Sequence, residues 1–140
     1  MVILIDTNIV LDIMQGRQPY WNAASDIFMM CAKKEITGYI ALHSVSNIFF
    51  ILRKSYSVDE RRKILKDILK ILTVVSVNNK EVSEALENKD FKEFEDCLQD
   101  EYAKRADADY IITRNMQDFQ YSKVRAVLPD EFIEIMAKNK

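Results

Sequence analysis

The chain opens on a continuous apolar run, Val2-Ile3-Leu4-Ile5, which is followed at once by Asp6. A strand that is apolar on both faces belongs inside a parallel sheet that helices cover on both sides, whereas a half-exposed strand alternates apolar and polar residues. The run therefore predicts a buried strand of a mostly parallel sheet. Because the strand stops at Asp6, the pattern also predicts a carboxylate at the carboxyl edge of that sheet, where α/β proteins place their sites.

The rest of the chain alternates between the helical and the strand pattern. Apolar and β-branched runs predict four further strands: residues 38–42, 73–77, 110–113 and 124–128. Helical spacing and capping residues, among them Ser44 and either Asp6 or Thr7, predict helices between them: residues 9–14, 19–34, 44–54, 58–72, 80–87, 91–106 and a short terminal helix from Pro129. This alternation is typical of right-handed βαβ units, so we expect an α/β fold with helices on both faces of about five strands.

Composition sets the class of protein and its surroundings. With 140 residues and 49% hydrophobic content, the chain suits a single domain over residues 1–140. A formal net charge of −2 argues against a strongly basic surface that covers nucleic acid, although a local basic patch can still contact phosphates. The N-terminal apolar run is too short for a signal peptide or a membrane span. We therefore expect a cytoplasmic protein without membrane contact, in which Cys31 and Cys97 are buried thiols.

Acidic side chains from three distant segments are expected at one edge of the sheet. Asp6 follows the first strand, and Asn115 follows the fourth strand with Asp118 three residues later. The helix before the fourth strand must run the opposite way, so Asp96, near its start, lies at the same edge. Gathered carboxylates repel each other unless a cation lies between them, and hard oxygen ligands suit Mg²⁺ or Mn²⁺. Such an ion can activate a water and offset charge on phosphate oxygens.

Four segments carry a family resemblance. LIDTN at 4–8, FEDCLQ at 94–99, ADYIITRNMQDF at 108–119 and LPDEF at 128–132 resemble the PIN domain signature, in the same order and over essentially the whole chain. The resemblance implies a PIN-like three-layer α/β/α fold and a metal-dependent ribonuclease that uses Mg²⁺ or Mn²⁺. It also implies an RNA substrate, frequently a toxin role with an antitoxin partner, and it allows a homodimer.

The resemblance also assigns roles to individual residues. It implies three carboxylates as both metal ligands and catalytic residues: Asp6, Asp96 and Asp118. Asn115 stands where aspartate is frequent, and Asn47 stands where most active members have glutamate, so both are expected only as supporting residues. Thr113 could support the site through its hydroxyl. Two amides in place of acids would weaken metal affinity, and the alternative is therefore a degenerate PIN fold that binds RNA or a protein.

Other candidates are weaker. His43, the only histidine, cannot form a histidine-rich metal site, and a structural role is favoured. Basic residues at 53–54 and 61–63 could hold a phosphate backbone, although a solvated helix face is the preferred interpretation. Glu95 and Asp100 are more typical of surface charges, although either could supply a missing metal ligand. The sequence does not explain why Glu101 falls among apolar helix positions. A phosphatase that uses two aspartates after its first strand is strongly disfavoured, since position 8 is Asn.

Overall fold

The structure is a computed structural model that describes residues 1–139. Its centre is a parallel sheet in which β1 (Val2–Ile5) is flanked by β2 (Thr37–Ala41) and by β4 (Tyr110–Ile112). The outer strands are β3 (Thr73–Val75), beside β2, and β5 (Arg125–Val127), beside β4. The order β3-β2-β1-β4-β5 confirms the prediction of a mostly parallel sheet of about five strands.

Helices connect the first four strands, and a last helix follows β5. Along the chain they are α1 (Thr7–Met14), α2 (Trp21–Ala32), α3 (Leu42–Ile51), α4 (Val58–Ile68), α5 (Asn79–Glu87), α6 (Phe94–Arg105) and α7 (Pro129–Lys138). Two short 3₁₀ turns, Leu52–Lys54 and Met116–Phe119, complete the described elements. In residues 1–139 no helix is long and apolar enough to cross a membrane. The single-domain prediction for residues 1–140 includes Lys140, which lies outside the described residues.

The sheet separates two apolar cores, as the alternation of side chains along a strand requires. Ile3 and Ile5 pack in one core with buried residues of α1, α2, α3, α4 and α7. Leu4, between them, packs in the second core with buried residues of α5 and α6. Helices therefore cover both faces, and the three-layer α/β/α prediction is confirmed. Both cysteines are buried free thiols, as expected.

Several predicted ends and caps are wrong. The helix predicted for residues 58–72 ends at Ile68, because the chain must turn there for Leu72 to enter the core before β3. Ser44 does not cap α3, which begins at Leu42; its hydroxyl instead forms a 2.6 Å hydrogen bond with that of Thr7. Asp6 precedes α1, but its side chain makes no cap hydrogen bond. The side chains of Ser44 and Asp6, expected to cap helices, instead form hydrogen bonds with residues of other elements.

Two acids of α6 are buried rather than exposed. Both carboxylate oxygens of Asp100 accept backbone N–H groups, from Lys123 at 3.1 Å and from Val124 at 3.1 Å. This side chain therefore fixes the loop that leads into β5, and its prediction as a surface charge is wrong. Glu101, also buried, accepts a 2.7 Å hydrogen bond from Lys104. The ion pair explains how an acid occupies an apolar face of the helix.

Candidate functional site

The site begins where the two central strands end side by side. β1 and β4 are paired in register up to Ile5 and Ile112, so the next residues of both strands emerge together at the carboxyl edge. The backbone N–H of Asp6 donates to the carbonyl of Ile112 at 3.0 Å. Thr113, fully buried, donates its hydroxyl to Oδ2 of Asp6 at 2.9 Å. The pairing of strands therefore fixes the first carboxylate of the predicted site.

The start of α6 brings further groups to the same edge. Asp96 lies in the first turn of this helix, and Gln99 follows three residues later on a neighbouring position of its surface. Nε2 of Gln99 lies 3.4 Å from Oδ1 of Asp6 and 3.5 Å from the hydroxyl of Ser44. The carboxylate of Asp6 thus contacts a hydroxyl on one oxygen and an amide on the other. These contacts restrict its orientation.

One pocket at this edge joins four of the six predicted site residues. It has a volume of about 380 Å³, and both Asp6 and Asp96 line it together with the amides of Asn47 and Asn115. Thr113 lies behind Asp6 in the interior. Asp118 does not line this pocket; it lines an adjoining one of about 410 Å³, which shares Asp96 with the first. The roles of all six residues stay predictions.

Neighbouring carboxylates contribute to the raised pKa of two acids of the site, Asp96 and Asp6. Burial raises the pKa of Asp96 to about 6, and the charges of Asp118 and Asp6 add to the increase. Burial also raises the pKa of Asp6, a hydrogen bond from Thr113 opposes the increase, and the charge of Asp118 adds to it. Gathered acids with these properties are destabilised in their charged form unless a cation compensates them.

The donor set fits a partly hydrated divalent cation. Mg²⁺ is usually held by one or two carboxylates and keeps several waters, which suits Asp6 and Asp96 beside neutral amides. Among residues 1–139, no three His, Cys, Asp or Glu side chains form a ready-made cation cluster. Oε1 of Gln99 and Nδ1 of His43, both in residues that line the pocket, are buried without a protein partner. Waters around a cation could supply a donor to the Gln99 oxygen.

His43 and the basic residues have specific packing roles. The ring of His43 lies 5.3 Å from that of Tyr102, and burial lowers its pKa, which favours the neutral imidazole. The guanidinium of Arg53 lies 3.6 Å from the ring centre of Phe50, and Arg61 stacks in the same way on Phe49 at 4.4 Å. Two of the five cations are therefore held against α3.

A buried ion pair beside the site was not predicted. Asp12, with no exposed surface, accepts hydrogen bonds from Nε of Arg114 at 2.8 Å and from its Nη2 at 3.0 Å. Arg17 approaches the same carboxylate at 3.6 Å. Arg114 stands between Thr113 and Asn115, so this pair holds the segment that carries two predicted site residues. Asp12 stands inside the apolar run 9–14, and an acid at such a position indicates a buried ion pair. Gln99 was also not predicted, although its position three residues after Asp96 places it beside that acid on the helix.

A family model and several solved structures are similar to this chain over most of its length. A family model described as PIN domain matches residues 2–117. VapBC2 from Rickettsia felis, solved with a DNA fragment from its promoter, superposes with a TM-score of 0.67 at 19% identity, covering 91% of this chain and 98% of that one. A Klebsiella pneumoniae toxin–antitoxin complex gives 0.65 at 21% identity, covering 90% and 96%. VapBC-1 from nontypeable Haemophilus influenzae gives 0.65 at 14%, covering 93% and 99%. No curated protein matches the chain in sequence.

Proposed function

The chain belongs to the PIN domain family, and from this membership we propose that it is a metal-dependent endoribonuclease that hydrolyses RNA phosphodiester bonds. The observation that carries the proposal is the pairing of Asp6 with Asp96 in one pocket at the carboxyl edge of the sheet. These two carboxylates come from distant parts of the sequence, and the charge of Asp6 helps to raise the pKa of Asp96. Keeping two such groups together is understandable if a cation is to bind between them.

Asp6 and Asp96 would hold Mg²⁺ or Mn²⁺, with Asp118 contributing from the adjoining pocket. When bound, the metal supplies a water of lowered pKa and offsets charge on the phosphate oxygens. The hydroxyl of Thr113 and the amide of Gln99 keep the carboxylate of Asp6 in place at 2.9 and 3.4 Å. Preorganised groups of this kind reduce the rearrangement needed during reaction.

Asn47 and Asn115 have a different part in the proposal. Both line the pocket, and neither can carry negative charge. Each amide would offer its oxygen as an acceptor to water in the pocket and its N–H groups as donors to a phosphate oxygen of the RNA. The site then has a smaller negative charge than one with four acids, so its metal affinity should be weaker and its phosphate repulsion lower.

The test is metal-stimulated cleavage of a structured RNA. Purified protein should cut in Mg²⁺ or Mn²⁺ and stop in EDTA. Asp6→Asn and Asp96→Asn should each lower the rate about 100-fold or more, as loss of roughly 3 kcal/mol of transition-state stabilisation requires. Asp26→Asn, an exposed acid on α2 outside the pockets described above, is the matched control and should cut normally. Cleavage that persists in both site variants would refute the proposal.

We further propose that this chain is the toxin of a toxin–antitoxin pair. The support is structural likeness to three toxin–antitoxin complexes, each of which covers at least 90% of this chain. The proposal predicts that a small reading frame beside this one encodes a protein that copurifies with the chain. That partner should suppress RNA cleavage when added in equal amount. Copurification without inhibition would count against an antitoxin.

The second candidate is a binding module that keeps the fold without catalysis. Asn47 and Asn115, where the family resemblance leads one to expect acids, favour it. Calorimetry with Mn²⁺ separates the two functions, because the nuclease requires a cation site that Asp6→Asn abolishes. RNA binding that is unchanged in EDTA, together with no heat of binding when Mn²⁺ is titrated, would support the binding module.

A further inference from the structure

We call the pocket that Asp6 and Asp96 line the acid pocket. A further pocket opens beside it, and we call this one the Tyr20 pocket. It has a volume of about 400 Å³, and its polar lining consists of Tyr20, Arg114, Asn115 and Asp130. Its remaining wall is apolar and includes Pro129. Asn115 lines both this pocket and the acid pocket. A ligand in the Tyr20 pocket would therefore lie next to whatever occupies the acid pocket.

Arg114 is fixed before any ligand arrives. Two of its nitrogens, Nε and Nη2, donate to the buried carboxylate of Asp12. Its guanidinium carbon lies 3.9 Å from the ring centre of Tyr20. Within the described part of the chain, the third nitrogen, Nη1, donates to no protein acceptor. A donor held by a buried ion pair loses little conformational entropy on binding, which favours its use in recognition.

The lining is unsuited to an isolated anion. Pro129 is the first residue of α7 and has no N–H to offer, and acidic Asp130 and Glu131 already occupy the first turn of that helix. The carboxylate of Asp130 would repel a phosphate. The pocket instead combines a fixed cationic donor, an amide and a carboxylate acceptor with apolar walls, which is the combination that binds a planar heterocycle with polar edges.

Guanine matches these groups best among the four RNA bases. Its O6 and N7 are adjacent acceptors that suit the N–H groups which Arg114 does not use on Asp12, two on Nη1 and the second one on Nη2. Its N1–H and N2–H groups are adjacent donors that suit the two oxygens of a carboxylate such as Asp130. Adenine and cytosine each present one amino group as a donor, and uracil presents one N–H. We propose that the Tyr20 pocket binds an unpaired guanine next to the cleaved bond; this inference rests on the proposed nuclease function of the acid pocket.

The first test measures nucleotide binding in EDTA, so that it does not depend on cleavage. Titration of the protein with GMP and with AMP, followed by amide chemical shifts, should perturb residues 19–23, 114–115 and 128–131. GMP should bind roughly 10-fold more tightly than AMP, as expected for one good bidentate contact. Trp21, the single tryptophan of the chain, gives a second readout by fluorescence. Equal affinity for the two nucleotides, or shifts at another surface, would overturn the inference.

Variants separate recognition from folding. Asp130→Asn should reduce the preference for GMP over AMP about 10-fold, whereas Asp26→Asn should leave it unchanged. Tyr20→Phe should retain binding and Tyr20→Ala should weaken it for both nucleotides, with circular dichroism confirming that each variant folds. GMP preference in a wild-type protein that never cuts RNA would uphold the pocket and refute the nuclease. RNA cleavage without any GMP preference would refute the pocket and leave the nuclease intact.

Discussion

The buried pair of Asp12 and Arg114 permits a quantitative prediction for stability. Arg114→Met removes both hydrogen bonds to a carboxylate that has no exposed surface, and leaves it only Arg17 at 3.6 Å. Breaking a buried pair by removing one partner costs about 3–5 kcal/mol. Because Arg17 offsets part of this loss, we expect about 3 kcal/mol. That is a large fraction of the 5–15 kcal/mol typical of a domain and corresponds to a melting temperature about 10 °C lower.

Removing both partners should cost much less than removing one. In the double variant Asp12→Leu, Arg114→Met the interior holds neither charge, and replacement of a buried ion pair by apolar side chains is frequently neutral. We expect its unfolding free energy to lie within about 1 kcal/mol of the wild-type value. The two single variants and the double variant then form a mutant cycle with a coupling energy of about 2 kcal/mol or more.

Urea unfolding at pH 7, followed by circular dichroism, measures all four proteins. Lys70→Met is the control, because Lys70 pairs with Asp67 at 3.2 Å on the surface, where both side chains are exposed. Its urea midpoint should hardly change, since exposed pairs contribute little. If Arg114→Met unfolds at the wild-type midpoint, or if the double variant loses the sum of the two single losses, the interpretation of this pair as a buried, coupled unit is wrong.

Three further predictions concern other parts of the fold. The pKa of Asp96 is raised from 3.8 to about 6, so its stabilising contribution is present below about pH 4 and lost as pH rises past 6. In EDTA, Asp96→Asn should therefore raise the urea midpoint at pH 8 but not at pH 4. Gly38→Ala should cost about 1–3 kcal/mol, because the added Cβ would lie 2.7 Å from both Sγ of Cys31 and Cδ2 of Leu72; calorimetry measures this loss. Ser57→Ala removes the cap of α4 and should cost about 1 kcal/mol in the same assay.

Strand direction explains how much of the site the sequence could predict. Asp6 had to emerge at the carboxyl edge because Val2–Ile5 runs toward it, and Asp96 had to return to that edge because α6 runs back before β4. These inferences need only the periodicity of the elements and the handedness of their connections. The same reasoning yielded the parallel sheet and the two covered faces.

The sequence could not predict features that depend on the direction in which an individual side chain points. Asp118 follows β4 through a 3₁₀ turn, whose geometry no periodicity encodes, and it lines the adjoining pocket instead of the first. The pairing of Asp12 with Arg114 joins residues 102 positions apart. Ser44 looked like a helix cap because caps are a local signal, whereas its actual partner, Thr7, lies in another helix. Contacts between distant segments of the chain therefore override the local preferences for helix capping.

The central position of β1 means that the candidate site forms only after β4 has been synthesised. Strand β1 pairs on one side with β4, and Asp6 gains the hydroxyl of Thr113 only when a residue 107 positions later has been synthesised. A chain interrupted before that point carries Asp6 on an incomplete sheet, without the Thr113 hydroxyl that orients its carboxylate. Under the proposed nuclease function, a nascent chain or an N-terminal fragment that ends before Thr113 should therefore leave RNA uncut.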